Sequence, residues 1–169
     1  MSLMDKRSSK TILKIYHGFS LCLAEKMFRD VNVRDIIKAA GISPTGFYAH
    51  FKSKEDVLQG MLAKLYLTVK IRGDSRLENH LALLFFRVKN DAELWANAAK
   101  LNENAAFLRS SLLPWCKSFL PQGKDKTSSR LASEMLSAAL LQFMSNPKEN
   151  TPERMADILV VPLSSLLGA

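Results

Sequence analysis

The sequence has little of what sheets, disulfide scaffolds and membrane spans are made from. Glycine occurs only 7 times and proline 6 times in 169 residues, and extended runs of Val, Ile and Thr are absent, which leaves helices throughout. The two cysteines, Cys22 and Cys116, sit in apolar stretches without CxxC spacing. They read as buried free thiols in a reducing compartment, not as a disulfide. No apolar run approaches the ~20 residues of a membrane span, and no signal peptide is visible. The expected location is therefore the cytoplasm, with no membrane partner. His17, His50 and His80 are scattered, and no HExxH, phosphate-cradling Gly loop or G-x-S-x-G elbow occurs. The expectation is a protein that is not an enzyme and uses no metal or cofactor.

What the chain does have is enough apolar residue to bury a core, 47% against 24% charged, and an excess of positive charge. The net +8 is uneven: residues 1–73 hold 13 Lys and Arg against 6 Asp and Glu, residues 74–169 hold 11 against 10. A cationic first half joined to a near-neutral second half suits a polyanion-binding module attached to one with another task.

Helical spacing and capping residues divide the chain further. Met1-Ser2-Leu3-Met4 reads as an expression scar, and residues 1–8 as a short N-terminal arm outside the fold. Ser8 and Ser9 are placed to cap a helix ending near Met27, with Ile12, Ile15, Tyr16, Phe19 and Leu23 inward. Asn32, with Asp35 three residues on, caps a second helix that buries Val33, Ile36, Ile37 and Ala40 and stops at Gly41. Ser43-Pro44 restarts the chain at once as N-cap and first helical residue, and this third helix ends near Phe51. Ser53 caps a fourth with Val57, Leu58, Met61, Leu62, Leu65 and Val69 inward. Gly73-Asp74-Ser75 ends it. A helix then spans Arg76–Asn90, another, open to a break, Ala92 to about Arg109, and a shorter piece Ser111–Leu120. Two long helices follow, from Asp125 or Thr127 to Ser145 and from Thr151-Pro152 onward, the last kinked by Pro162. The expected organisation is a helix-turn-helix domain over 9–53, a connecting helix over 54–73 and an effector-binding and dimerisation domain over 74–169.

Residues 32–51 carry the function. A short helix, a Gly-centred turn and a second short helix make a helix-turn-helix, whose second helix enters the major groove of double-stranded DNA. Ile36, Ala39, Ile42 and Phe47 point inward in this reading. The outward set on and beside the third helix is Ser43, Pro44, Thr45, Gly46, Tyr48, Ala49 and His50, with no acid and several side chains small enough for close approach. Tyr48 and His50 can donate to phosphates, and Thr45 can bond a base or touch a thymine methyl. Lys54 and Arg34 stand at helix N-termini, where a cation opposes the dipole but suits a phosphate clamp.

The stretch Val33-Arg34-Asp35-Ile36-Ile37-Lys38-Ala39-Ala40-Gly41-Ile42-Ser43-Pro44-Thr45-Gly46-Phe47-Tyr48-Ala49-His50-Phe51-Lys52-Ser53-Lys54-Glu55 resembles the DNA-binding signature of the TetR family of transcriptional regulators. The resemblance reaches back through Ala24-Glu25-Lys26-Met27-Phe28 and covers about residues 9–62. Met27 stands where the family usually has Gly, Asn32 replaces the usual Thr but keeps the cap, and Gly46 lacks the hydroxyl common at its position.

The resemblance implies an all-α fold and a homodimer. It also implies a palindromic operator and release by a small apolar or amphipathic effector, with the chain acting as a repressor. Family members pair their last two helices with those of a second subunit, which assigns Leu136, Leu140, Met144, Leu159, Leu163 and Leu166 to the interface. Both helices are over-supplied with apolar residues for one short domain. Helices that surround an effector cavity in the family carry Phe86, Trp95, Phe107, Trp115 and Cys116 here. The alternative is a basic helical adaptor that binds a protein partner or an anionic membrane surface through its first half.

Overall fold

A computed structural model describes residues 3–70 and 76–168, and among these every regular element is helical. The chain runs α1 (Leu3–Glu25), a 3-10 turn (Phe28–Asp30), α2 (Val33–Ala40), α3 (Pro44–Tyr48) and α4 (Lys54–Lys70). It continues as α5 (Leu77–Asn90), α6 (Ala92–Ala99), α7 (Asn102–Phe119), α8 (Lys126–Ser145) and α9 (Pro152–Leu167).

The caps act as their chemistry requires. The Asn32 side chain accepts from the Asp35 N–H and the Asp35 carboxylate from the Asn32 N–H, a reciprocal capping box. Ser43, Ser53, Asp125 and Thr151 each accept a backbone N–H three residues on, so α3, α4, α8 and α9 start where short-range signals place them.

Three expectations change. α1 starts at Leu3, leaving Ser8 and Ser9 inside a helix, because no Gly or Pro upstream stops it. The break after Ala92 falls at Lys100-Leu101, and α7 then runs unbroken through Pro114, absorbing the piece expected at Ser111–Leu120. α9 contains Pro162, as expected, and runs to Leu167. Ala39 is exposed, not inward. The turn at Gly73-Asp74-Ser75 and the side chain of Val69 lie outside the described residues.

Two layers share one core. α1, α2, α3 and the start of α4 enclose Ile15, Phe19, Ile36, Phe47, Phe51 and Val57. Beyond them α5 packs along α9, α7 along α8, and α6 against α1 and α8. α4 bridges the layers: the indole N–H of Trp115 on α7 donates to the Leu62 carbonyl at 3.1 Å. No described helix is long and apolar enough to cross a membrane.

Candidate nucleic-acid interface

Gly41 sets the angle between α2 and α3. Its φ of 61° is left-handed, which glycine adopts without a Cβ penalty, and its N–H closes onto Ile37 and Lys38 at the end of α2. α1 braces the same corner through Gly18. A Cβ there would lie 2.6 Å from the Ala40 backbone nitrogen, so α1 and α2 touch at van der Waals distance only because residue 18 has none.

Phe47 is fully buried and anchors α3 from below against Phe51. With that face fixed, Ser43, Pro44, Thr45, Tyr48 and Ala49 are exposed, and Gly46 and His50 are half-buried. Tyr48 is 59% exposed, an uncommon position for a large ring on a folded surface and a natural one for a group that meets DNA backbone. Arg34 is exposed near the start of α2, one turn from the exposed Lys38. The outward set expected on and beside α3 is therefore exposed or half-buried.

Lys54 is the exception. Its ammonium donates to the carbonyls of Phe28 (2.7 Å), Arg29 (3.0 Å) and Val31 (2.8 Å) and lies 4.7 Å from the centroid of the Phe28 ring. All three protons are used inside the protein. Here Lys54 ties α4 to the 3-10 turn instead of reaching toward a phosphate.

That turn is also held from the other layer. Asn104, buried near the start of α7, accepts from the Phe28 N–H and donates to the carbonyls of Leu23 and Lys26, each at 2.6 to 2.8 Å. The Phe107 ring stacks on Phe28 at 3.9 Å, and Arg29 lies 3.7 Å from Glu103. Sequence reasoning missed Asn104. Its only signal was an amide among apolar residues on one helix face, a residue that burial would force to find partners.

The five expected pocket residues do not line one cavity. Phe86 is 48% exposed on α5, Phe107 is spent on Phe28, and Trp115 stacks on Phe119. Trp95 and Cys116 are core, and burial pushes the Cys116 thiol far above its ordinary range. Side-chain size marked these aromatics as wall material, but size equally suits filling a core.

The expected dimer residues move too. Leu136, Leu140, Met144 and Leu163 are fully buried within the single chain, Leu159 nearly so, and only Leu166 is half-exposed. The outer stripe is instead Leu131, Met135 and Ala138 on α8 with Ile158, Val161, Pro162 and Ser165 on α9, each set at i, i+3 or i+4, i+7 spacing. An open groove of about 600 Å³ runs between these helices.

This geometry, a braced helix-turn-helix presenting the outer face of its second helix from an all-helical body, defines a DNA-binding transcriptional regulator. Residues 22–61 match the family model described as bacterial regulatory proteins, tetR family, so the helix-turn-helix part of the chain is similar to the DNA-binding domain of that family. The whole chain has the fold of solved relatives. One is a TetR transcriptional regulator from Streptococcus agalactiae 2603V, 19% identical, covering 95% of this chain and 97% of that one with a TM-score of 0.58. Another is the dihydroxyacetone kinase operon activator DhaS, 16% identical, covering 92% and 96% with a TM-score of 0.56. A third is the repressor AlkX from Dietzia sp. strain DQ12-45-1b, 15% identical, covering 94% and 98% with a TM-score of 0.51. No curated protein matches the sequence.

Proposed function

We propose that the chain acts as a homodimer that binds a two-fold symmetric operator, represses by occupying it, and is released by a small effector bound in the second layer. The observation that carries this reading is the exposed face Pro44, Thr45, Tyr48 and Ala49 on a helix whose opposite face is locked by Phe47. Such a helix reads bases while its neighbours set register on phosphates. Dimerisation is supported by the α8–α9 stripe, where Leu131, Ile158 and Val161 are 47%, 55% and 73% exposed. A two-fold axis puts that patch against its own copy. Repression needs no further contact, since a bound operator is closed to other proteins. The solved structures that the chain resembles include one named as a repressor and one as an operon activator, and a reporter placed behind the selected operator, expected to be silenced by this chain, tests the direction.

Selection of random duplexes with the purified protein tests the reading. The enriched site is expected to be an inverted repeat whose half-site centres lie about one helical turn, ~34 Å, apart. Enriched sites without symmetry would remove the dimeric operator. Retention on anionic vesicles without retention on duplex DNA would replace the reading with a basic adaptor.

A further inference from the structure

A half-enclosed groove of about 940 Å³ opens between the C-terminal half of α7, the loop after it and the first turns of α8. Leu113, Pro114 and Pro121 give it apolar walls. Lys117, Lys124, Lys126 and Arg130 surround them. Residues 74–169 are close to neutral overall, 11 cations against 10 acids, yet 4 of those 11 line this one groove.

The acids at hand do not offset them. Asp125, the one acid in the lining, caps α8 by accepting from the Ser128 N–H at 2.7 Å. Glu134 pairs with Arg130 at 2.8 Å. Among the described residues no ion pair engages Lys117, Lys124 or Lys126. Lys126 stands in the first turn of α8, whose positive end is already capped by the Asp125 carboxylate. An anion in the groove would meet three lysines that no acid among the described residues engages in an ion pair.

The groove is also built. The Gly123 N–H donates to the Ser129 hydroxyl at 2.8 Å, and the Lys124 N–H to the Leu166 carbonyl at 3.3 Å, so the loop is tied to both α8 and α9. Asn104 and Lys117 stand ~20 Å apart along α7 at 1.5 Å per residue, which separates the groove from the DNA-facing side. At 100° per residue, Ser129 and Ser133 face away from Leu131 and Ala138 around α8, while Lys126 and Arg130 stand between the groove and the stripe, in a second hollow that they share with Leu131.

We infer that this groove binds a small organic anion, an acidic head among the lysines with an apolar body against Leu113, Pro114 and Pro121. The inference rests on the effector-controlled reading above and names its ligand class and site. α7 runs unbroken from the groove to Asn104 and Phe107, so a ligand that shifts α7 along its axis moves the turn that Lys54 and Asn104 share.

Calorimetric titration of the full chain, without DNA, with decanoate, decyl phosphate, decylammonium and inorganic phosphate is the test. Decanoate and decyl phosphate are expected to bind, and their ratio separates a carboxylate from a phosphate preference. Decylammonium and inorganic phosphate are expected to be at least about tenfold weaker, lacking the charge or the body. The variant Lys117→Gln/Lys124→Gln/Lys126→Gln, three exposed positions, should keep the wild-type melting temperature within a few degrees and lose about tenfold in decanoate affinity. Equal binding of decylammonium, or a triple variant that binds decanoate like wild type, would overturn the site. A protein that selects a symmetric operator but binds neither anion loses the site and keeps the regulator. One that binds decanoate through these lysines without releasing DNA keeps the site and loses effector control.

Discussion

The two layers of this protein treat their surfaces in opposite ways. In the DNA-facing layer the apolar residues of α2 and α3 turn inward, and the outer face carries Thr45, Tyr48 and small side chains beside a surplus of cations. In the second layer the net charge nearly vanishes, while Leu131, Ile158 and Val161 stay in water. A surface that stays polar and cationic is made for a hydrated polyanion, which is approached through counterion release. A surface that leaves aliphatic side chains in a stripe is made for dry contact with protein. On the proposed function, the difference gives DNA and a second copy separate surfaces of one chain.

The sharpest way to break that assignment is to place one charge on either side of the same helix. Leu163 has no exposed surface, whereas Val161 on α9 is 73% exposed. Leu163→Glu buries a carboxylate in the chain's own core at a cost of several kcal/mol, comparable with the whole stability of a small domain. Thermal melting followed by circular dichroism should show its cooperative transition lost. Val161→Glu should melt like wild type yet run as a single 18.9 kDa chain on light scattering, with operator affinity reduced because the linked second site is gone. A folded Val161→Glu that stays dimeric would move the interface off this stripe.

The layers meet at the turn Phe28–Asp30, and Asn104 is the residue to remove next. Asn104→Ala strands the Phe28 N–H and the carbonyls of Leu23 and Lys26, a loss of ~2–4 kcal/mol for a buried amide with three partners. Melting should report that loss. Effector response should fall further than stability does, because among the described contacts α7 then holds the turn only through the Phe107 stack and the Arg29–Glu103 pair. An unchanged response with a lowered melting point would make Asn104 purely structural.

Asn104 also marks where reading the sequence stopped. Asn32, Gly41, Ser43, Ser53 and Thr151 were legible because each acts on a partner three or four residues away, and so was the outer face of α3. The lysine clamp of Lys54 and the amide of Asn104 reach across 23 to 81 residues, and nothing local announces them. Helix faces failed for a related reason. α8 and α9 are apolar nearly all round, so periodicity cannot tell the side facing its own core from the side facing a partner. Leu140 and Leu163, expected at the dimer contact, have no exposed surface in the single chain. Burial in the folded chain separates them from Leu131 and Val161.

Lys54 and Arg34 then separate two roles that sequence position alone made equal. Lys54→Ala should lower stability by ~1–2 kcal/mol through three lost charge-assisted bonds at a partly exposed site. It should leave the slope of DNA affinity against salt unchanged. Arg34→Ala should leave stability unchanged and reduce the magnitude of that slope by about 1, the signature of one lost phosphate contact. A reduced slope for Lys54→Ala would show that the ammonium leaves its carbonyls when DNA binds.

The smallest expected effect lies in the capping box of α2 and depends on pH. The Lys26 ammonium 2.9 Å away, joined by the Asn32 N–H, holds the Asp35 carboxyl below the usual carboxylate range. The same contact raises Lys26 above the usual lysine value. A carboxylate whose folded pKa is depressed adds stability that is present above its unfolded value of ~3.9 and is lost as pH falls through the folded value. An ammonium whose folded pKa is raised adds stability below its unfolded value of ~10.4 and loses it as pH rises through the folded one. The pair therefore contributes evenly between about pH 5 and pH 9 and fades at both ends. Both groups face solvent, so the contribution is modest and weakens with salt. Asp35→Asn keeps an acceptor for the Asn32 N–H and removes only the charge. Its melting temperature should fall slightly below wild type at pH 7, and the gap should close as both proteins are taken toward pH 3. The gap at pH 7 should also narrow in high salt. A gap that stays constant from pH 7 to pH 3 would mean that hydrogen-bond geometry in the cap, and not the charge on Asp35, supplies the stability of this corner.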